Sequence, residues 1–439
     1  MIYEIVKNNS LKNPDKIALV FDNAYTYKEI IELVDNYEYK FPKFSHVAVL
    51  FENSIEFVVF MLLASKYQFS IIPLSVHTKN IDFYIDKMDI DFIVTKDEIK
   101  KLNFTKKEFH EFILVTTSGS TSEPKPIVLT EEIKLKRINI AKSTYNLSNK
   151  DTILISTPLY HSLAIRGVLM SLVLNATGIV LKQFNPKEYL QTIQDKKITF
   201  SFSVSSQLEA ISDIIVDYDV SFVKSMVSTS YSIKSEIKKK LLEYFDIYEC
   251  YGTSEIGCIT HLSPQDIKTH PNSVGKALKG VEIKIENGEI IAKSPWKAKE
   301  YYKIKTIPEW FNTGDLGEIK DGYLYYKGRT KELIKTGGIS VYPIDIEKVI
   351  LEIDGVKEVA VVGLDDSYFG EIVAAIIVGN VKKNEVMRYL QKRLLPYQIP
   401  LFYDIVDSLP KNHMGKLQKF KLKEKYKHID IGKRLKGIK

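Results

Sequence analysis

Short apolar runs that alternate with helical patterns limit what this chain can fold into more than any other feature. Residues 46–51, 69–74, 92–95, 112–115, 152–156, 178–182, 198–204 and 247–251 are apolar runs of strand length. Helical periodicity lies between several of them, as in residues 54–66, 131–145 and 232–244. Asn53 stands where it would cap the first of these helices, which is apolar on most faces and is therefore expected to be buried. Strands alternating with helices favour parallel sheets covered on both faces, with ligand loops after the strands' C-terminal ends. The expected fold class is α/β, with a large N-terminal domain of parallel-rich sheets covered by helices.

The pattern changes after Gly328 and Arg329. Residues 344–353 and 384–394 read as helices, and residues 358–364, 372–378 and 402–406 as strands. About a hundred residues of this kind make a small α+β domain. The division expected is 1–330 and 331–439, and a chain of 439 residues calls for two or three domains.

Composition narrows the class without naming a function. Hydrophobic residues at 45% and charged residues at 27% are ordinary for a globular protein with a sizeable core. Cys250 and Cys258 have neither the number nor the spacing of a disulfide framework or a zinc site, so two buried or half-buried thiols in a reducing compartment are expected. The N-terminus shows no basic segment followed by an apolar core. Residues 164–181, the most apolar longer segment, are interrupted by Arg166, Gly167, Asn175, Thr177 and Gly178 and do not read as a membrane span. The expectation is a cytoplasmic protein. Residues 411–439 hold 11 Lys or Arg against Glu424 and Asp430, a local balance of +9 beside +7 for the whole chain. Such a run can bind nucleic acid or an anionic membrane surface, and more often is a solvated face, here also an attractor for anionic phosphates. No nucleic-acid-binding signature accompanies it, so nucleic acid is not an expected partner.

The central loop is Thr116-Thr117-Ser118-Gly119-Ser120-Thr121-Ser122-Glu123-Pro124-Lys125-Pro126. An apolar run leads into it and Ile127-Val128-Leu129 leads away. Hydroxyls, a Gly and a Lys in a turn where N–H groups converge suit a polyphosphate, while a Ser/Thr-rich surface loop is the plainer alternative. The spacing is not that of a Walker A loop.

Four further groups follow. Tyr251-Gly252-Thr253-Ser254-Glu255 sets a hydroxyl and a carboxylate at a strand end, where the carboxylate suits Mg²⁺ or the hydroxyl suits a helix cap. Trp310-Phe311-Asn312-Thr313-Gly314-Asp315 sets an Asp in a turn after an aromatic pair, suited to ribose hydroxyls or to turn chemistry alone. Residues 326–347 join a basic cluster to the Gly337-Gly338 turn, where glycines permit close approach or a hinge. Lys416 follows a Gly turn near the C-terminus.

These five motifs, in this order, resemble the adenylate-forming superfamily of acyl-CoA synthetases, nonribosomal peptide synthetase adenylation domains and luciferases. The likeness runs from Thr116 to Lys416, and more loosely through residues 15–19 and 51–74. It implies ATP-dependent activation of a carboxylic acid to an acyl-adenylate, followed by thioester formation. By the resemblance, Thr117, Ser118, Gly119, Ser120, Thr121 and Lys125 would cradle the phosphates and Glu255, beside Ser254, would hold Mg²⁺. Tyr251 would border the adenine, and Asp315 and Arg329 would contact the ribose. Lys416 would reach the incoming carboxylate and the phosphate. Lys331 takes the hinge position about which a small mobile C-terminal domain would rotate. Lys335, Gly337 and Gly338 would face the thiol substrate.

Two departures from the family loop are Ser122 and Pro126, both where glycine is usual, and the chain is short for the family. His161, in Pro158-Leu159-Tyr160-His161-Ser162, aligns with the acyl pocket, as a pocket residue or as a satisfied histidine. Residues 203–207 and 228–232 would form the other walls. The Asp with which amino-acid-activating relatives pair the substrate ammonium is missing. The resulting reading is an AMP-forming acid–thiol ligase acting on an aryl or fatty acid, with ATP, Mg²⁺ and CoA. Delivery to the phosphopantetheine of an acyl carrier protein is one alternative. A weakened nucleotide-binding protein is the other.

Overall fold

The computed structural model describes residues 1–102, 107–116, 125–411, 415 and 417–436. The chain divides into two compact units, residues 1–282 with 293–311, and residues 283–292 with 312–439.

The first unit is built on two large sheets. One has nine strands, in the order Lys276–Ala277, Gly257–Leu262, Asp246–Thr253, Ser225–Thr229, Phe200–Val204, Thr152–Ile155, Thr177–Val180, Ile17–Val20 and Ala24–Thr26. From Asp246–Thr253 to Ile17–Val20 every neighbouring pair is parallel, and the antiparallel strands sit at the two edges. The eight-stranded sheet has a parallel centre, where Ser70–Pro73 pairs with His46–Val49 and with Ile113–Thr116. Parallel strands must be covered on both faces. Helix Ile55–Tyr67 meets that need, with ten of its thirteen residues buried. All the expected strands are present, each within one to three residues of the predicted bounds.

Asn53 is not the cap of this helix; Ser54 takes that place. The Asn53 amide donates instead to the carbonyls of Thr157 and Leu181, and its Oδ1 accepts from the Leu159 N–H at 2.7 Å. It ties the helix entry to the turn after Thr152–Ile155.

The thiol expectation for Cys250 and Cys258 is also corrected. The structure joins them in a disulfide with a Cα separation of 6.3 Å. Strands Asp246–Thr253 and Gly257–Leu262 pair antiparallel as a hairpin in which Cys250 lies opposite His261 and Cys258 opposite Gly252, so the two cysteines are diagonal neighbours on adjacent strands. Among the described residues no helix is long and apolar enough to cross a membrane.

The second unit holds a four-stranded sheet, Glu282–Glu286, Glu289–Lys293, Phe311–Lys320 and Tyr323–Arg329, and a five-stranded sheet built on the long pair Val356–Asp366 and Gly370–Gly379. Helices Pro343–Leu351 and Lys383–Gln391 bury Ile346, Ile350, Val386 and Leu390 in the core of the five-stranded sheet. Residue 330 lies in the single helical turn Thr330–Glu332 that connects the two sheets.

Candidate active site

In the first unit, strands Thr152–Ile155, Phe200–Val204, Ser225–Thr229 and Asp246–Thr253 run parallel, so their C-terminal ends share one edge of the sheet. Ligand loops collect on such an edge. Here it carries His161, Ser205, Ser254 and Glu255.

Glu255 sits half-buried in the turn between Asp246–Thr253 and Gly257–Leu262. Tyr301 donates its phenolic hydrogen to Glu255 Oε1 at 2.9 Å. Burial, and then the carboxylate itself, hold the Tyr301 phenol above its ordinary range. The turn's backbone is fixed from the other side. The Glu255 carbonyl accepts from the Ala298 N–H at 2.6 Å. Arg137, buried on helix Glu131–Thr144, donates to the carbonyls of Trp296, Ser254 and Glu255 at 3.1, 3.1 and 3.4 Å. Burial and the neighbouring Arg166 guanidinium lower Arg137 to about 9, against the pull of Glu255. Gly257 closes the turn at φ +80°, and a Cβ there would lie 2.8 Å from Trp296 and 3.0 Å from Arg137 Nε, so only glycine fits.

Lys125 is exposed where the central loop rejoins strand Pro126–Leu129, its ammonium 5.6 Å from the Tyr301 ring centroid. Lys125, Tyr301, Glu255 and Arg137 thus form one continuous set. Thr117 to Thr121, Ser122 and Lys416 lie outside the described residues. Tyr251 is half-buried and Ser254 exposed. His161 is the N-cap residue of helix Ser162–Val173, with its ring 4.4 Å from that of Tyr160. Ser203 is fully buried and its hydroxyl and that of Tyr189 are hydrogen-bonded at 2.7 Å. Ser205 bonds Ser228 and the Thr229 carbonyl, and Gln207 bonds Ser156.

In the second unit, Asp315 and Arg329 are register partners across an antiparallel pair, with Arg329 Nε 3.4 Å from Asp315 Oδ1. Asp315 therefore stands within strand Phe311–Lys320 and not in the expected turn; Gly314 before it is at φ +71°, and the register shift of the pair falls after it, between Leu316 and Gly317. Gly337 and Gly338 form the expected turn, both at positive φ, between strands Ile334–Thr336 and Ile339–Val341. Lys335 is exposed on the first of these strands, where its backbone N–H bonds Glu371 at 2.7 Å. Lys331 is exposed in the turn Thr330–Glu332.

The sequence reading missed Arg137, Tyr301 and Trp296. A signal existed for Arg137, because Lys134 and Arg137 occupy the first two positions of a stripe that continues inward as Ile138 and Ala141. None existed for Tyr301, whose partner lies 46 residues away. Among the described residues no group of three His, Cys, Asp or Glu side chains is assembled for a metal. A lone hard carboxylate fits Mg²⁺, which takes one or two carboxylates and completes its shell with phosphate oxygens and water.

The AMP-binding enzyme family profile matches residues 105–302, and that of the AMP-binding enzyme C-terminal domain matches residues 345–416. An uncharacterised acyl-CoA ligase of Bacillus subtilis is 31% identical over 72% of this chain and 68% of its own length. The 2-succinylbenzoate–CoA ligase of Oceanobacillus iheyensis is 27% identical over 93% of this chain and 96% of its own. Among solved structures, ATP-bound MatB from Rhodopseudomonas palustris superposes with a TM-score of 0.85 at 21% identity, covering 97% of this chain and 99% of that one. The o-succinylbenzoate CoA synthetase of Bacillus subtilis, in complex with its acyl-adenylate intermediate, gives 0.84 at 22%, covering 95% and 97%. These two structures share the fold, two-unit α/β architecture included. By profile and by relatives together, this chain belongs to the AMP-binding enzyme family.

Proposed function

We propose that the protein is an AMP-forming acid–CoA ligase. The observation that carries this reading is the Glu255 carboxylate, held by Tyr301 through its side chain and by Arg137 through its backbone, beside Lys125 on the ligand edge of a parallel sheet. A carboxylate is a poor acyl donor until its oxygen belongs to a good leaving group. In the first step an oxygen of the acid attacks the α-phosphorus of ATP and pyrophosphate departs. In the second a thiol attacks the acyl carbon and AMP departs. Such chemistry needs positioned reactants and neutralised charge more than covalent help.

Within this reading Glu255 holds Mg²⁺, and Lys125 and the loop 117–121 receive the phosphates. Tyr251 borders the adenine, Asp315 and Arg329 take the ribose hydroxyls, and Lys416 serves the carboxylate and phosphate in the first step. Lys331 is the pivot of a division at residue 330, and Lys335 with Gly337 and Gly338 faces the thiol. His161 lines the acyl pocket. The named relatives are CoA ligases, which favours CoA over a carrier protein as acceptor.

Pyrophosphate release with ATP and Mg²⁺, measured across aryl, short-chain and long-chain acids with and without CoA, tests the proposal. Acid-dependent release that accelerates with CoA supports it. Acid-dependent release indifferent to CoA moves the acceptor to a carrier protein, and ATP binding without release under any acid overturns the ligase reading.

A further inference from the structure

Helix Glu131–Thr144 buries Lys134, Arg137, Ile138 and Ala141, a single stripe at helical spacing. Its first two positions are cations where packing alone would place Leu or Met. Arg137 is satisfied by carbonyls. Lys134, only 2% exposed, meets the Ser162 hydroxyl at 3.3 Å. Ser162 is the first residue of helix Ser162–Val173, so this ammonium lies against the positive end of a helix dipole. Arg166, one turn further on, stacks on Phe202 with its guanidinium 4.4 Å from the ring centroid and donates to the Arg137 carbonyl at 3.3 Å. Its buried Nε has no hydrogen-bond partner among the described residues.

Three cations therefore share one layer, Lys134 and Arg137 buried and Arg166 half-buried with its Nε out of reach of water. Among the described residues the one carboxylate acting on them is Glu255, through Arg137. Buried charge of one sign is costly unless an opposite charge completes it. Burial, then Arg137 and Arg166, hold the Lys134 amine well below its ordinary range, which an arriving anion would reverse. The layer also lies at the ligand edge, because Ser162 follows strand Thr152–Ile155 and Arg137 reaches the turn at Ser254 and Glu255. A purely apolar acyl chain would gain nothing from these donors.

We propose that Lys134 and Arg166 form an anion subsite for a second carboxylate on the acid substrate, so that the protein activates dicarboxylic acids. The reacting carboxylate lies towards Glu255 and the second one towards Lys134. Arg137 acts as a positioning residue between them. This inference rests on the ligase reading above.

The test compares dicarboxylic acids, aliphatic and aryl, with their monomethyl esters in the pyrophosphate-release assay. Wild type is expected to favour the diacid by about 100-fold in kcat/KM, the worth of hydrogen bonds to a charged group. Lys134→Met and Arg166→Gln are expected to erase that preference by raising the KM for the diacid, with the KM for ATP unchanged. Without turnover, the diacid but not the ester should raise the unfolding temperature of wild type, and Lys134→Met should abolish the shift. Lys134→Met should itself keep or raise the unfolding temperature, because it exchanges a buried cation for an apolar side chain of similar size. Equal use of diacid and ester overturns the subsite and leaves the ligase reading intact. A raised KM for ATP in Lys134→Met identifies a nucleotide phosphate as the anion and overturns it too, as does a marked loss of stability in that variant. Absence of pyrophosphate release with every acid removes the ligase reading, and the Lys134-dependent thermal shift then decides the subsite by itself.

Discussion

The Tyr301 hydroxyl donates to Glu255 Oε1 at 2.9 Å, joining strand Glu300–Tyr301, next to the edge of the eight-stranded sheet, to the turn that ends a strand of the nine-stranded one. That bond orients one carboxylate oxygen and leaves the other for a cation. Tyr301→Phe keeps the ring and removes the donor. Adenylation is expected to fall about 10- to 100-fold, with a raised Mg²⁺ requirement and little change in unfolding temperature. Pyrophosphate release titrated with Mg²⁺ measures this; an unchanged Mg²⁺ dependence would separate Glu255 from the metal.

Asp315 and Arg329 present a paired carboxylate and guanidinium on adjacent strands. If they hold the ribose, wild type should prefer ATP over 2′- and 3′-deoxy ATP. Asp315→Asn should then narrow that preference about tenfold while the KM for the acid stays constant, since one charged hydrogen bond is at stake. A preference equal in both proteins would remove Asp315 from the nucleotide site.

The Cys250–Cys258 disulfide makes a direct prediction about the isolated protein. Denatured without reductant it should show no reactive thiol, and after reduction it should show two, the whole cysteine content. Cys258→Ser should cost about 2–3 kcal/mol, the loop-closure entropy of so short a ring. Two thiols before reduction would restore the reading drawn from composition.

His110 and His261 are both held below the ordinary histidine value. Burial is the main cause, outweighing the Phe69 carbonyl and Glu111 at His110 and Asp266 at His261. Below about pH 6.5 the unfolded chain takes up protons that the native protein refuses. Their contribution is thus intact above that pH and is lost as pH falls towards the folded values. Glu131 and Glu249, raised chiefly by burial, act with the opposite sign, so the paired variant His110→Gln and His261→Gln isolates the effect. Unfolding temperature measured from pH 7.5 to 5 should drop in wild type and drop less in the variant. Identical slopes would show that these two rings do not govern acid stability.

The sequence by itself determined the sheet architecture, because apolar runs of strand length have few ways to leave water. Residues 200–204 and 246–253 are strands for that reason, and helix Ile55–Tyr67 is buried because it has no polar face. The order of hydroxyl loop, Glu255, Asp315, Arg329 and the Gly337–Gly338 turn was legible as well, since each is a local pattern. Local pattern misled where a partner lies far along the chain. Asn53 reads as a cap and instead binds residues more than a hundred positions away. Asp315 reads as a turn and is fixed in a strand by its pairing with Arg329. Tertiary structure alone decided that Tyr301 aims Glu255, that Arg137 grips the turn beneath it, and that helices Glu131–Thr144 and Ser162–Val173 bring Lys134 to Ser162 and Arg166 to the Arg137 carbonyl. Those contacts depend on which faces of separate elements pack together, and neither spacing nor composition carries that information.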